Sequence, residues 1–226
     1  MDLAARLAQI GSGSTYVIVE LDGAYTKYYE ATVESEWRGD KTFVRGSYTW
    51  SHYYGNFDQD NSTAANDANV FIGSSFIGDG AGRQFWNFRN GDLRGDRPNL
   101  LKVYGYRQLP WKASAGAYFV LQSGQPWETW SYEPYRALTT STSDTSRYAE
   151  PAGSHRSDAH WQVDLNYTQN IRLKGRLNLQ LAGDLFNVFD KQTGYNIDPA
   201  FHSSTYGQPR TYYDPRRFQL AARLQF

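Results

Sequence analysis

The segment Asp158-Ala159-His160-Trp161-Gln162-Val163-Asp164-Leu165-Asn166-Tyr167-Thr168-Gln169-Asn170-Ile171-Arg172 decides how this chain reads. Its odd positions carry Ala159, Trp161, Val163, Leu165, Tyr167, Gln169 and Ile171, and its even positions carry Asp158, His160, Gln162, Asp164, Asn166, Thr168, Asn170 and Arg172. One face is apolar with a single exception and the other is wholly polar. Side chains alternate faces along a strand, so this period of two predicts a β-strand between an apolar and a polar environment. It also outruns the roughly 5 to 6 residues usual for a strand in a soluble sheet.

The pattern repeats on both sides. After a turn at Lys174 and Gly175, Leu177, Leu179, Leu181, Gly183 and Leu185 alternate with Asn178, Gln180, Ala182 and Asp184. The last segment sets Phe218, Leu220, Ala222, Leu224 and Phe226 against Arg217, Gln219, Ala221, Arg223 and Gln225. Further strands are predicted at residues 25–37, 42–54, 100–109 and 114–123, which makes about seven in all. Only Leu3–Ile10 has helical spacing. Tight turns are expected at Arg38–Lys41, Leu109–Lys112 and Leu173–Arg176, where Gly or Pro can reverse the chain. Long polar connections, Gly55–Asn99, Gly124–Ser157 and Asp190–Asp214, lie between them. Short turns on one rim and long loops on the other predict a sector of an antiparallel transmembrane β-barrel, all-β in class.

Composition narrows the partners. Lys plus Arg and Asp plus Glu are 23 each, for a formal net charge of zero, so no nucleic acid partner is expected. The absence of Cys removes disulfides, a thiolate nucleophile and any sulfur-ligated zinc site. With a mean hydropathy of −0.69 and no stretch near the ~18 apolar residues of a spanning helix, a helical membrane protein is excluded. A barrel strand crosses a bilayer with only ~9 to 11 alternating residues and barely moves that mean. Met1–Ile10 does not read as a signal peptide, which predicts either a cytoplasmic protein or a piece of something longer. Residues 1–24 read as a partial loop or strand preceding the sector, and 25–226 as the sector itself.

Two features orient the faces. Bulky polar groups (His160, Asp164, Asn166, Asp184, Arg217 and Arg223) share one face, while Gly46, Gly105, Ala115, Ala117 and Gly183 sit on the apolar one. A lipid-facing surface tolerates small residues that would leave voids in a packed core. Trp37, Trp111 and Phe226 fall near the short-turn rim, and Tyr53, Tyr54, Trp127, Tyr212 and Tyr213 near the long-loop rim, as aromatic girdles do. The expected lining of the polar interior is Gln162, Asp164, Asn166, Gln180, Asp184, Gln219 and Arg223.

No persuasive catalytic set emerges, and neither enzyme activity nor a cofactor is expected. His160 with Asp158 and Asp164 offers metal-ligand types, but one strand spaces them widely and a polar lining is the plainer reading. A turn centred on Lys174 would set Asp164 directly opposite Asp184, a glycosidase-like carboxylate spacing or, more plainly, an interior pair neutralised by a cation such as Arg223. The loop Asn56–Ser62 lacks the Gly and closing Glu of a calcium loop. Gly78–Gly82 does not open a helix as a phosphate cradle would. In the long loops, Arg83, Phe85, Trp86, Arg89, Trp127, Trp130 and Tyr132 combine aromatic and guanidinium chemistry, making them candidate substrate contacts.

The chain's end resembles a known family. Leu185-Phe186-Asn187-Val188-Phe189-Asp190, then Tyr206-Gly207-Gln208-Pro209-Arg210, then Asp214-Pro215-Arg216-Arg217-Phe218-Gln219-Leu220 are similar to the C-terminal strands of TonB-dependent outer-membrane receptors, most of all the Oar-like subgroup. Gly46–Ser51 and Gly95–Pro98 leading into Leu101–Gly105 agree with this. The resemblance implies a bacterial outer-membrane location and a larger barrel of 22 strands, of which this chain supplies about the last seven. It also implies an N-terminal plug contacted by TonB and upstream strands, none of them in this chain, with the lipid bilayer as a partner. Phe218, Leu220, Leu224 and Phe226 resemble the C-terminal signal read by the outer-membrane assembly machinery; Ala221 departs from the Gly often found there. The implied function is the wall and extracellular loops of a transporter that takes up, or exports, a bulky substrate. The alternatives are a soluble carbohydrate-binding β-sandwich and a small self-contained porin-like barrel.

Overall fold

The computed structural model describes residues 25–56, 88, 90–137, 142, 144, 148–173, 175 and 177–226. In chain order the strands are β1 (Thr26–Arg38), β2 (Thr42–Gly55), β3 (Gly91–Asp92), β4 (Asn99–Leu109), β5 (Ala113–Gln122), β6 (Pro126–Trp127), β7 (His155–Arg156), β8 (His160–Arg172), β9 (Asn178–Phe186), β10 (Gly194–Ile197), β11 (Pro209–Tyr212) and β12 (Arg217–Gln225). No helix among the described residues is long and apolar enough to cross a membrane. The protein is all-β.

Seven long strands form one antiparallel sheet in the order β1-β2-β4-β5-β8-β9-β12, with β3 added beside β2. Every strand pairs with its neighbour in sequence among the long strands, so the sheet is a meander. Among the described residues it does not close: β1 and β12 each keep one unpaired side, and the expected barrel is here an open sheet.

Register aligns the alternation of single strands into rows that cross the sheet. Val33, Tyr48, Leu101 and Leu121 lie side by side across β1, β2, β4 and β5, and Leu121 continues to Trp161 in β8. A second row runs Ala117, Leu165, Leu185, Phe218 from β5 to β12. On the opposite face Asn166, Asp184 and Gln219 form one row and Asn170, Gln180 and Arg223 another. A slip of one residue anywhere would turn a strand's side chains to the opposite face, so the alternation fixes the pairing of the strands to within steps of two residues.

The apolar surface is uncovered. Val33, Trp50, Leu165, Leu181, Phe218 and Leu220 are all exposed, Leu220 at 73%. A soluble sandwich would cover this face with a second layer, and none is present among the described residues. Apart from Ala113 at the start of β5, the buried apolar residues lie elsewhere: Leu93, Trp130, Tyr148, Ala152 and Ile197 belong to the long connections.

Two expectations need correction. The β8–β9 turn does not centre on Lys174: the Leu173 N–H donates to the Leu177 carbonyl at 2.9 Å, and the register pairs Leu165 with Leu185 and Asn166 with Asp184. That places Gly175, at φ 73°, at the centre, because glycine takes the left-handed conformation without the Cβ penalty. Asp164 and Asp184 are therefore not partners. The two-residue slide keeps every side chain on its expected face. The second correction concerns Gly105, whose absent Cβ would lie 2.4 Å from the Phe43 carbonyl oxygen. Close approach of β2 requires that glycine, not tolerance by lipid; Gly46 and Gly183 have only ordinary contacts.

Candidate functional site

The three long connections join into a cap at one end of the sheet. Small two-stranded ladders, β6–β7 and β10–β11, give it local order. Bonds between connections then tie it together. The Trp130 N–H donates to the Pro199 carbonyl at 2.7 Å, the Phe201 N–H to the Trp130 carbonyl at 2.9 Å, and the Asn196 N–H to Gln125 Oε1 at 2.8 Å. These bonds satisfy backbone groups that a buried loop would otherwise leave unpaired.

Buried carboxylates organise the cap, two between its segments and two within them. Asp96 accepts the Tyr53 N–H at 2.6 Å and an Arg156 guanidinium N–H at 2.5 Å, linking the first and second connections to β2. Glu128 accepts the Trp130 indole N–H at 2.6 Å and the Gly153 N–H at 3.1 Å. Asp144 accepts the Tyr132 N–H at 3.1 Å and the His202 N–H at 2.9 Å, joining the second connection to the third. Asp198, 1% exposed, accepts from Ser203 Oγ, Thr205 Oγ1, the Ala200 N–H and Arg210. Burial alone would push the Asp198 carboxyl up, but the hydroxyl, N–H and guanidinium donors together hold it below its usual range.

Beneath the cap, on the polar face, lies a cavity of about 250 Å³ lined in part by Gln162, Asn187, Tyr195, Tyr213, Asp214 and Arg217. Asn187 shapes its wall from the left-handed region, at φ 50°. Its side-chain amide donates to the Asp214 carbonyl at 2.8 Å, while its backbone N–H donates to Asp164 Oδ1 at 2.8 Å. Tyr213 stacks face to face on His160 with ring centroids 3.6 Å apart, and Gln122 donates to its hydroxyl. Burial pushes the Tyr213 phenol above its ordinary pKa, so it stays neutral at physiological pH. Tyrosine rings, a guanidinium and amides in one concave site suit stacking and hydrogen bonding to a polar organic ligand.

The expected interior residues all fall on this one polar face. Gln162 Nε2 donates to Asp164 Oδ1 at 2.7 Å, and Asn166 donates to Asp184 across β8 and β9 at 2.5 Å. Arg223 pairs in register with Gln180 and forms no ion pair among the described residues, so it does not neutralise the two aspartates. His160 is buried and its Nδ1 lies 3.1 Å from Thr193 Oγ1, a structural bond rather than a metal-facing one.

Of the proposed substrate contacts, Arg83, Phe85, Trp86 and Arg89 lie outside the described residues, as do the loop from Phe57 onward and Gly78–Gly82. Trp127 is half-buried and stacks on His155, and Tyr132 stacks on His202. Trp130 is a correction. At 4% exposed, packed on Tyr148 with Arg94 over its ring, it forms the cap's core and cannot meet a substrate. The C-terminal residues Phe218, Leu220, Leu224 and Phe226 stay exposed on the edge strand and just beyond it. Sequence reasoning missed the cap carboxylates and the approach of His52 to Asp92 and Asp96; the partners are too far apart in sequence for spacing to reveal them.

No known protein family, no curated protein and no solved structure matches this chain.

Proposed function

We propose that this chain is the C-terminal wall of an outer-membrane transporter of the TonB-dependent, Oar-like kind, its apolar face toward lipid and its polar face toward an aqueous interior. The carrying observation is the uncovered apolar surface that runs across seven long strands, backed on β8, β9 and β12 by rows of polar residues. In water such a surface would drive association; in a bilayer it is the solvated state. Trp111 supports the reading. It is 81% exposed at the tip of the β4–β5 turn and held at φ 60°, a conformation unfavourable for a bulky residue. With no fold-level reason for an aromatic there, an interfacial anchor is the physical use of that ring.

The two open edges fit a sector that upstream strands complete. The cap and the cavity beneath it would then sit at the outer mouth, where a bulky substrate enters or leaves, and chemistry is confined to binding and gating. The transporter class itself rests on the resemblance of the terminal strands and of Gly46–Ser51 and Gly95–Gly105.

The purified chain is expected to require detergent or lipid: on detergent removal it should pellet, and in phospholipid vesicles it should resist carbonate extraction. A chain that stays monomeric and clear in plain buffer would refute the membrane reading. The transporter assignment has its own test, since coding DNA upstream of Met1 should continue in frame into strands and a plug. An upstream frame without them leaves a membrane sheet of another kind.

A further inference from the structure

We propose that His52, Asp92 and Asp96 form a binding site for a divalent transition-metal ion, Mn²⁺ or Zn²⁺, at the joint between the first long connection and β2. The site does not depend on the membrane reading. His52 Nδ1 lies 3.8 Å from Asp92 Oδ1 and 3.8 Å from Asp96 Oδ1. All three ligand atoms lie within 4.8 Å of one another. The imidazole is too far from either oxygen for a hydrogen bond, yet it faces both. A point no more than about 2.5 Å from all three atoms exists at these spacings, and a closure of a few tenths of an ångström gives the ~2.0 to 2.2 Å of nitrogen and carboxylate ligands on zinc.

The ligands are held from three directions. The His52 ring stacks on Tyr54 at 4.6 Å, with 20° between planes. Asp92 is in β3, in register with Tyr54. Asp96, 0% exposed, has its Oδ1 placed by the Tyr53 N–H. Such placement of one ligand by stacking and another by a hydrogen bond is the outer-shell support that metal ligands require.

Arg156 sets the electrostatics. Its Nη2 lies 2.5 Å from Asp92 Oδ2 and 2.5 Å from Asp96 Oδ2, while His52 approaches the Oδ1 atom of each carboxylate. One guanidinium against two carboxylates leaves a net charge of −1, with both Oδ1 atoms turned toward the imidazole. One nitrogen and two oxygen ligands favour a transition ion over Mg²⁺ or Ca²⁺, which prefer all-oxygen sets. A bound ion would stiffen the joint where the first connection, the second connection through Arg156, and β2 meet.

The test is titration of the full chain in detergent micelles with Mn²⁺, followed by loss of the free-ion EPR signal, and with Zn²⁺ by calorimetry. One ion should bind per chain. His52→Ala and Asp92→Asn should each weaken binding by about tenfold or more, at least the loss that removal of a supporting outer-shell partner causes. Both positions are partly exposed, and unchanged near-UV circular dichroism would show the fold retained. Arg156→Gln should tighten binding severalfold by removing a competing cation, an effect that a purely structural ion-pair cluster would not show. Absence of saturable binding of either ion up to about 1 mM, a free energy near −4 kcal/mol, would overturn the site, as would binding left unchanged in both ligand variants.

Discussion

Leu165→Arg is expected to destabilise the bilayer-inserted sheet by about 2 to 4 kcal/mol, and Asn166→Arg, its neighbour in sequence, by less than about 1 kcal/mol. Leu165 lies in the middle of β8, flanked in register by Ala117 and Leu185 on the apolar face. On the proposed orientation a guanidinium there would lack a polar partner and face the hydrocarbon near its mid-depth. Asn166 lies between Gly116 and Asp184 on the polar face, where an arginine gains a carboxylate neighbour and stays hydrated. Urea-induced unfolding from vesicles, followed by tryptophan fluorescence, measures both variants. Equal effects at the two positions would contradict the assignment of faces.

Asp198→Ala is expected to open the third connection of the cap at a cost of roughly 3 kcal/mol, in the range for charge-assisted bonds broken at a buried partner. Four donors converge on that carboxylate, from Ser203, Thr205, Ala200 and Arg210. Alanine strands them together. Hydrogen exchange should rise over residues 194–212 while β8 and β9 stay protected. The same hub makes the cap acid-sensitive. Its carboxyl is depressed in the folded state, so its stabilisation is complete above the unfolded carboxyl value near 4 and is lost as pH falls through the lower folded value. Exchange in this segment should therefore be flat from neutral pH to about 4, after correction for intrinsic rates, and rise below it. In Asp198→Ala that dependence should disappear.

The sheet was legible in the sequence and the cap was not, and the reason is physical. A long strand between unlike environments writes its structure as a local alternation, so β8, expected over 158–172, forms over His160–Arg172. Alternation constrains which face a residue takes, not how far two strands slide in steps of two. The β8–β9 register therefore needed the identity of the turn's central residue, and Gly175 rather than Lys174 supplied it. The cap depends on contacts of long range: Asp96 with Arg156, Asp144 with His202, Thr129 with Tyr206. Nothing periodic marks such pairs. Trp130 shows the consequence, since an aromatic in a polar loop reads as a surface group until the structure puts Glu128, Tyr148 and Arg94 around it. His52 reads as one more strand residue because its aspartate neighbours lie beyond a long connection.

The chain has no Cys, so single cysteines can be placed freely. Nitroxide labels at each position from 161 to 171, with the chain in phospholipid vesicles, measure most directly which way the two faces look. Labels at 161, 163, 165, 167, 169 and 171 are expected to be relaxed by oxygen dissolved in the bilayer, and those at 162, 164, 166, 168 and 170 by a water-soluble nickel chelate. Uniform access to the chelate along the strand, or odd positions shielded from both agents, would contradict that orientation.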